Sequence, residues 1–403
     1  MPSRKSEFPI FETARKEGRP LIFLDNASTT QKPQCVIDAI SGFYAGYYAN
    51  VGRGLYWPAT AASSHYDQAR EKVRSFIGAS SKKEVIFTSG TTDAVNKVVN
   101  SFLLPQLRKG DEVLVSEMEH HSNFVPWQQA CELKGAQLKV ITLDAELNLD
   151  FSQLTSMLTD KVKVLAVTAI SNTLGVRNDL KSIINLAHQH NIKVFVDAAQ
   201  LPLSEKIDVQ NMNCDFLAFS GHKVFGPTGI GVLYGKQALL EKMSPLAYGG
   251  GMVKKVSIDE TIMADLPSKH EAGTPNIAGV IGLAAAINFI NSVGVEEIGR
   301  HSAELRKYAV KRLSEIEGLT LFAKDAKSTA ILSFTMKGIH PHDIAAFLAE
   351  KGIAVRAGHH CTHPLMHKLD IGGTVRVSFN IYNSTEEVDL LKNTLDEIKS
   401  FFL

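Results

Sequence analysis

The sequence predicts an α/β chain: a large domain on a mostly parallel, helix-covered seven-stranded sheet, plus a smaller α+β domain. Three observations lead there. Strand candidates alternate with helical patterns from residue 85 to residue 234. Their apolar runs are continuous rather than alternating, as in strands buried on both faces. After about residue 292 this grammar gives way to charged amphipathic helices among short strands. A chain of 403 residues also exceeds what one hydrophobic core usually supports. The expected division is residues 21–291 for the large domain and 1–20 with 292–403 for the small one.

In chain order, residues up to about 19 are polar and read as helical or loosely ordered. Residues 21–24 form a short strand running into Asp25-Asn26-Ala27-Ser28-Thr29-Thr30, a turn rich in capping residues ahead of a helix over 33–46. Residues 47–58 have glycines and aromatics without period and read as a loop, and 59–77 are helical. Strands follow at 85–87, 111–115, 138–141, 162–169, 193–196, 215–219 and 230–234, with helical segments such as 180–190 between them. The uncharged stretch 276–295 reads as a buried helix rather than a membrane span, because polar residues and glycines interrupt it. The small domain is expected to hold a helix at 296–313, strands at 319–322, 330–334, 353–355 and 375–379, and helices at 342–350 and 385–402.

Formal net charge is +1, from 43 basic and 42 acidic residues, so nothing global favours nucleic acid or an anionic membrane as a partner. The first residues lead into no hydrophobic signal region, and the four cysteines are scattered without a CxxC pair. Both features point to a reducing cytoplasm.

The chemistry-bearing residues gather where strands end, which in a parallel sheet is where ligands bind. Lys223 sits in Ser220-Gly221-His222-Lys223, a glycine-rich turn between two buried strands. A lysine withdrawn from water has a lowered pKa and becomes an amine able to form a Schiff base, although this segment taken alone more often describes a surface lysine in a tight turn. Asp197 closes an apolar strand and either caps a turn or pairs with a buried cation such as a protonated pyridine nitrogen. Gly90-Thr91-Thr92 opens a helix directly after a strand, making an anion site suited to phosphate. Ser220 and His222 are further candidate donors to that phosphate. His120 is a candidate for stacking or proton transfer, or simply a histidine at a strand end. Arg356 and Arg376 lie on apolar strands, as carboxylate clamps or structural ion pairs. In Arg356-Ala357-Gly358-His359-His360-Cys361-Thr362-His363-Pro364 the crowded histidines do not space like metal ligands, and a nucleophilic thiol at Cys361 is the better reading. No metal is expected. Lysine, aspartate, phosphate cradle and histidine together are the parts a pyridoxal 5'-phosphate site requires.

With these residues in place, the chain from about residue 21 onward resembles the class II, SufS-like cysteine desulfurases, pyridoxal-phosphate enzymes of the aspartate-aminotransferase fold type (fold type I). The most specific pieces are Ser220-Gly221-His222-Lys223 with Gly226-Pro227-Thr228-Gly229, and Arg356-Ala357-Gly358-His359-His360-Cys361 with Pro364-Leu365-Met366. The resemblance implies that Lys223 carries the cofactor, Asp197 holds its ring nitrogen protonated, Gln200 bonds its phenolic oxygen and His120 lies over the ring. It further implies phosphate binding by Thr91, Thr92, Ser220 and His222, with Thr274 reaching in from the other subunit of a homodimer. Asn172 and Arg376, with the strand-borne Arg356, would hold the carboxylate of L-cysteine. Cys361 would accept the sulfur and pass it to a SufE- or SufU-like carrier for iron–sulfur cluster assembly. A selenocysteine lyase or cysteine-sulfinate desulfinase, with L-selenocysteine as one alternative substrate, would use the same cofactor set; an aminotransferase is the more distant alternative. The chain departs from the family at Gly52, where histidine is usual, at Leu55-Tyr56-Trp57, at Ala198, and at Thr362-His363.

Overall fold

Buried runs of β-branched and aromatic residues set the centre of the fold in a computed structural model that describes residues 4–402. After a two-residue β1 (Ile22–Phe23), these runs become β2 (Val85–Thr88), β3 (Glu112–Ser116), β4 (Gln137–Ile141), β5 (Val162–Thr168), β6 (Lys193–Asp197), β7 (Phe216–Ser220) and β8 (Gly231–Gly235). They form one seven-stranded sheet in the order β2-β8-β7-β6-β5-β3-β4. Strands β7, β6, β5, β3 and β4 pair in parallel, while β8 runs antiparallel to both of its neighbours. The mostly parallel α/β architecture expected from the sequence is present.

Successive side chains of a strand face opposite ways, so each run feeds two cores. Leu165 and Val167 join one cluster with Val194, Leu217 and Phe219, under the helix Ile277–Val293. Val164 and Ala166 join the other with Val113, Phe195 and Phe216, against Val95 and Trp127. The helix Ile277–Val293 is buried along nearly its whole length against the helices Gln34–Gly46 and Trp57–Phe76. Among the described residues no single helix is long and apolar enough to cross a membrane.

Beyond a separate hairpin, β9 (Val253–Val256) with β10 (Thr261–Met263), come β11 (Leu319–Leu321), β12 (Ile331–Met336), β13 (Ile353–Ala354), β14 (Arg356–Gly358) and β15 (Thr374–Ser378). An antiparallel sheet of order β11-β12-β15-β14 packs on the helices Val295–Leu313, Pro341–Glu350 and Thr385–Phe402. Strand β1 pairs in parallel with β13, and Leu24 enters this third core.

One local expectation fails. The hydroxyl-rich segment 25–30 caps no helix: the helix Gln34–Gly46 begins after Pro33 with no side-chain cap. Pro33 itself occupies the N-cap position with an extended backbone (ψ 153°) and has no side-chain acceptor to offer. The side chains ahead of it are turned instead toward residues 222–225 and the cleft described next.

Candidate active site

The parallel strands carry polar residues at their carboxyl ends, and the pairing register brings these ends level. Thr168 at the end of β5 pairs with Asp197 at the end of β6, which pairs in turn with Ala218 of β7. A cleft of about 270 Å³ opens above them. Its walls include Thr91, Thr92, His120, Asn172, Asp197, Gln200, Ser220, His222, Lys223, Arg356, Cys361 and Arg376, every sequence-predicted site residue except Thr274. Thr274 is exposed and lines a separate opening of about 780 Å³ with Arg53, Arg70 and Glu271.

Lys223 ends the short turn Gly221–Lys223, directly after β7. Gly221 is required by close packing: a Cβ there would lie 2.8 Å from Ile230 Cγ2 and 3.0 Å from the Ile230 carbonyl. The turn closes through Gly221 N–H donating to Ile230 O at 2.8 Å. The segment 29–32 grips its other side. Thr30 N–H, at 3.0 Å, and Lys32 Nζ, at 2.9 Å, both donate to His222 O, and Phe225 N–H donates to Thr30 Oγ1 at 2.9 Å. Burial pulls the Lys223 amine down to about 8, against the attraction of Asp197, which favours its charge. Burial likewise lowers Lys32 to about 7, and lowers His222 to about 4 with help from the charges of Lys223 and Lys32.

Asp197 is 3% exposed. Its Oδ1 accepts from Ala199 N–H at 2.9 Å, and burial raises its pKa while Lys223 acts in the opposite sense. Ser220 Oγ accepts from Thr91 N–H at 2.9 Å and lies 2.8 Å from Thr91 Oγ1, which ties the end of β7 to the first turn of the helix Thr91–Val98. That approach needs Gly231 on β8, where a Cβ would come within 2.5 Å of Gly90 Cα. Gln200 Nε2 donates to Ala27 O at 2.8 Å.

His120 precedes the turn His121–Asn123, and its Nδ1 accepts from Ser122 N–H at 3.1 Å, which leaves the ring proton on Nε2. Burial and the nearby Lys223 charge lower it to about 3, so the ring is neutral near pH 7. The preceding residue, Glu119, is fully buried, bonded to Ser116, Asn123 and Thr168 N–H, and burial raises its carboxyl to about 8.

The second wall comes from β14, β15 and the loop between β14 and the helix His363–Lys368. Cys361 is exposed, and both His360 (φ 53°) and Cys361 (φ 57°) adopt the left-handed conformation, uncommon for residues with a Cβ. The loop is anchored by its carbonyls: His121 N–H donates to Cys361 O at 2.8 Å and Asn172 Nδ2 to His360 O at 2.8 Å. Arg376 is 3% exposed, with Nη1 on Asn172 O at 2.9 Å, Nη2 on Asp25 Oδ1 at 3.2 Å and Nε unpartnered. Arg356 is half-exposed and reaches Asp25 Oδ2 and Ser28 Oγ, each at 2.6 Å through Nη2. Sequence reasoning missed Asp25 and Ser28, having read both as capping residues. The signal was available in Asp25, which ends an apolar strand just as Asp197 does.

A family model described as aminotransferase class-V matches residues 22–391. The chain belongs to the aminotransferase class-V family. Within this family it is 46% identical over 398 residues to a probable cysteine desulfurase of Halalkalibacterium halodurans, covering 99% of this chain and 98% of the relative. A probable cysteine desulfurase of Vibrio cholerae is 44% identical over 387 residues, covering 96% and 95%. Among solved structures, the cysteine desulfurase CsdA from Escherichia coli superposes with a TM-score of 0.92 at 39% identity, covering 99% of this chain and 98% of that one. An apo cysteine desulfurase from Thermococcus onnurineus NA1 gives 0.93 at 37% identity with the same coverage.

Proposed function

We propose that the chain is a pyridoxal-phosphate-dependent cysteine desulfurase that takes sulfur from L-cysteine, releases L-alanine and leaves a persulfide on Cys361. What supports this most is one cleft where Lys223 and the buried Asp197 meet the exposed Cys361. The donor set suits the cofactor. It offers an amine lowered toward neutrality, a buried carboxyl for the ring nitrogen and a helix N-terminus with hydroxyls for the phosphate. The cleft volume is also close to the lower bound, about 300 Å³, of small-ligand pockets. The 46% identity to a named probable cysteine desulfurase supports the reaction itself.

The bound cofactor supplies an aldehyde for an amine and a ring that draws electrons from the substrate α-carbon. Lys223 Nζ would hold that aldehyde, Asp197 the ring nitrogen, Gln200 the phenolic oxygen, and His120 one ring face. Thr91, Thr92, Ser220 and His222 would bind the phosphate, joined by Thr274 from the second subunit of a homodimer. Asn172, Arg356 and Arg376 would orient the substrate carboxylate. Lys223 Nζ, once free, takes the substrate α-proton. Cys361 Sγ, as thiolate, would attack the substrate sulfur: an S–S bond forms, the Cβ–S bond breaks, its electron pair goes to Cβ, which takes a proton, and the α-carbon recovers a proton from Lys223 Nζ to complete alanine. The persulfide then passes to a SufE- or SufU-like carrier serving iron–sulfur assembly in the cytoplasm. Residues 21–291 would bear the cofactor, and 292–403 with 1–20 the thiol loop.

The test is alanine release from L-cysteine, L-selenocysteine and L-cysteine sulfinate by the wild type and Cys361→Ala. Loss confined to L-cysteine supports the reading. Unchanged cysteine turnover in Cys361→Ala contradicts the thiol mechanism and favours a lyase or desulfinase, and dependence on a keto acid would reveal an aminotransferase.

A further inference from the structure

Three histidines around the thiol loop take no part in the chemistry proposed above, and their rings form one row. His359 and His363 are exposed, on either side of Cys361 in the chain, and their rings stack with centroids 4.3 Å apart and planes 18° apart. His121, from the turn after β3, extends the row: its ring centroid lies 4.9 Å from that of His363, with the planes 22° apart. Stacked rings do not converge their nitrogens on one ion, and among the described residues no group of three such side chains could hold a metal. His121 Nε2 accepts from His363 N–H at 3.4 Å and lies 3.0 Å from His363 Nδ1. A ring nitrogen that accepts carries no hydrogen, so His121 keeps its proton on Nδ1 and His363 Nδ1 donates in the 3.0 Å contact. Burial, with the charges that His363 and His359 carry when protonated, lowers the His121 pKa and so favours the neutral ring that this bond requires. The same residue gives its backbone N–H to Cys361 O at 2.8 Å. His121 therefore holds both the residue that bears the thiol and the second residue after it, while its neighbour His120 lines the cleft.

We infer that His121 and His363 form a latch that positions the Cys361 thiol for attack within the cleft. The inference rests on the proposed desulfurase reading. The immediate neighbours of Cys361 are buried and tied elsewhere, His360 to Thr374 and Thr362 to Thr173. The latch acts on the Cys361 peptide itself: the ring contact with His363 keeps the turn His121–Asn123 against the loop, and the N–H of that turn fixes the Cys361 carbonyl and with it the direction of the Cα–Cβ bond. Attack on the substrate sulfur depends on such placement, since a displacement of about 1 Å can cost on the order of 10²-fold in rate. His363 belongs to the Thr362-His363 pair, one of the places where the chain departs from the family, so the latch is a feature of this chain's own sequence.

The test compares the cofactor-loaded wild type with His363→Ala, which removes the ring contact, and His363→Asn, whose amide offers a donor near the place of Nδ1. His363 is exposed, so both variants are expected to fold. Sulfur arriving on Cys361 is followed by mass spectrometry in a single turnover of L-cysteine, and alkylation of Cys361 by iodoacetamide is followed without substrate. His363→Ala should slow sulfur arrival by about tenfold or more without slowing alkylation, and His363→Asn should recover most of the loss. Unchanged sulfur arrival in His363→Ala overturns the inference. So does a parallel fall in alkylation, which would mean that the histidine acts on the ionisation of the thiol and not on its position, and so does His363→Asn performing no better than His363→Ala. A readout independent of turnover is hydrogen–deuterium exchange at the His121 amide. It should quicken about tenfold in His363→Ala, the scale of one hydrogen bond, and not in His363→Asn; unchanged exchange contradicts the latch. Wild-type protein that places no sulfur on Cys361 would overturn the desulfurase reading, while the exchange comparison would still judge the latch.

Discussion

The Lys223 turn and the Cys361 loop face each other across one cleft and are built in opposite ways. The turn follows a fully buried strand, tolerates no Cβ at Gly221, and is gripped through His222 O and Phe225 N–H by the segment 29–32. The loop is fastened through the His360 and Cys361 carbonyls and through the side chains of His360, on Thr374 Oγ1 at 2.8 Å, and Thr362, 2.9 Å from Thr173 Oγ1, none of which covers the thiol, exposed on two consecutive left-handed residues. Such conformations cost about 1–3 kcal/mol each and persist where the surroundings over-determine them. The contrast teaches a division of labour. The amine end is packed and desolvated, which makes its lysine a usable base, whereas the thiol end keeps its backbone still and its sulfur open to a partner.

The largest expected effect is at the packed end. Lys223→Ala should cut alanine release by about 10³-fold or more, the scale of losing a positioned acid–base group, and remove the absorbance of lysine-bound cofactor. Cys361→Ser should lower cysteine turnover by about 100-fold while leaving cofactor affinity, measured by equilibrium titration, unchanged. If both variants lose cofactor equally, the two ends are not independent and the division fails.

A pH series sharpens the same contrast. Only the neutral amine captures an aldehyde, and burial holds Lys223 at about 8 against the ordinary 10.5. Cofactor capture by apoprotein should therefore rise about tenfold per pH unit below pH 8 and level off above it. A rise continuing toward pH 10 would mark an ordinary exposed lysine. His120, held near 3 by burial, should add no inflection between pH 5 and pH 8.

Smaller effects follow at the supports. Ser220→Ala should weaken cofactor affinity by about tenfold, the scale of one hydrogen bond to a charged group. Gly221→Ala should destabilise the protein by about 1–3 kcal/mol through the contact with Ile230, read as a lowered urea midpoint.

These regions also differed in how far the sequence disclosed them. Lys223, Asp197 and Ser220 were legible because each is the polar residue closing or following an apolar run, a purely local pattern. The antiparallel course of β8 was legible in principle, since the short connection from Ser220 to Gly231 has no room for a crossover helix. The group of Asp25, Arg356 and Arg376 was not, because its members come from β1's end, β14 and β15 and meet only through the pairing of β1 beside the small sheet. The grip of Thr30 and Lys32 on His222 was hidden for the same reason, and hydroxyls ahead of a helix imitate caps whatever they bond. Exposure of Cys361 was suggested by its polar neighbours; its left-handed backbone was not, since neither His360 nor Cys361 favours it.

The most direct test of the division between a buried amine and an exposed thiol is mass spectrometry of the cofactor-loaded protein after incubation with L-cysteine. The account predicts a mass increase of one sulfur atom located on Cys361, with equimolar L-alanine. Alanine formed without sulfur on Cys361, or sulfur carried on Cys35, Cys131 or Cys214 instead, would contradict it.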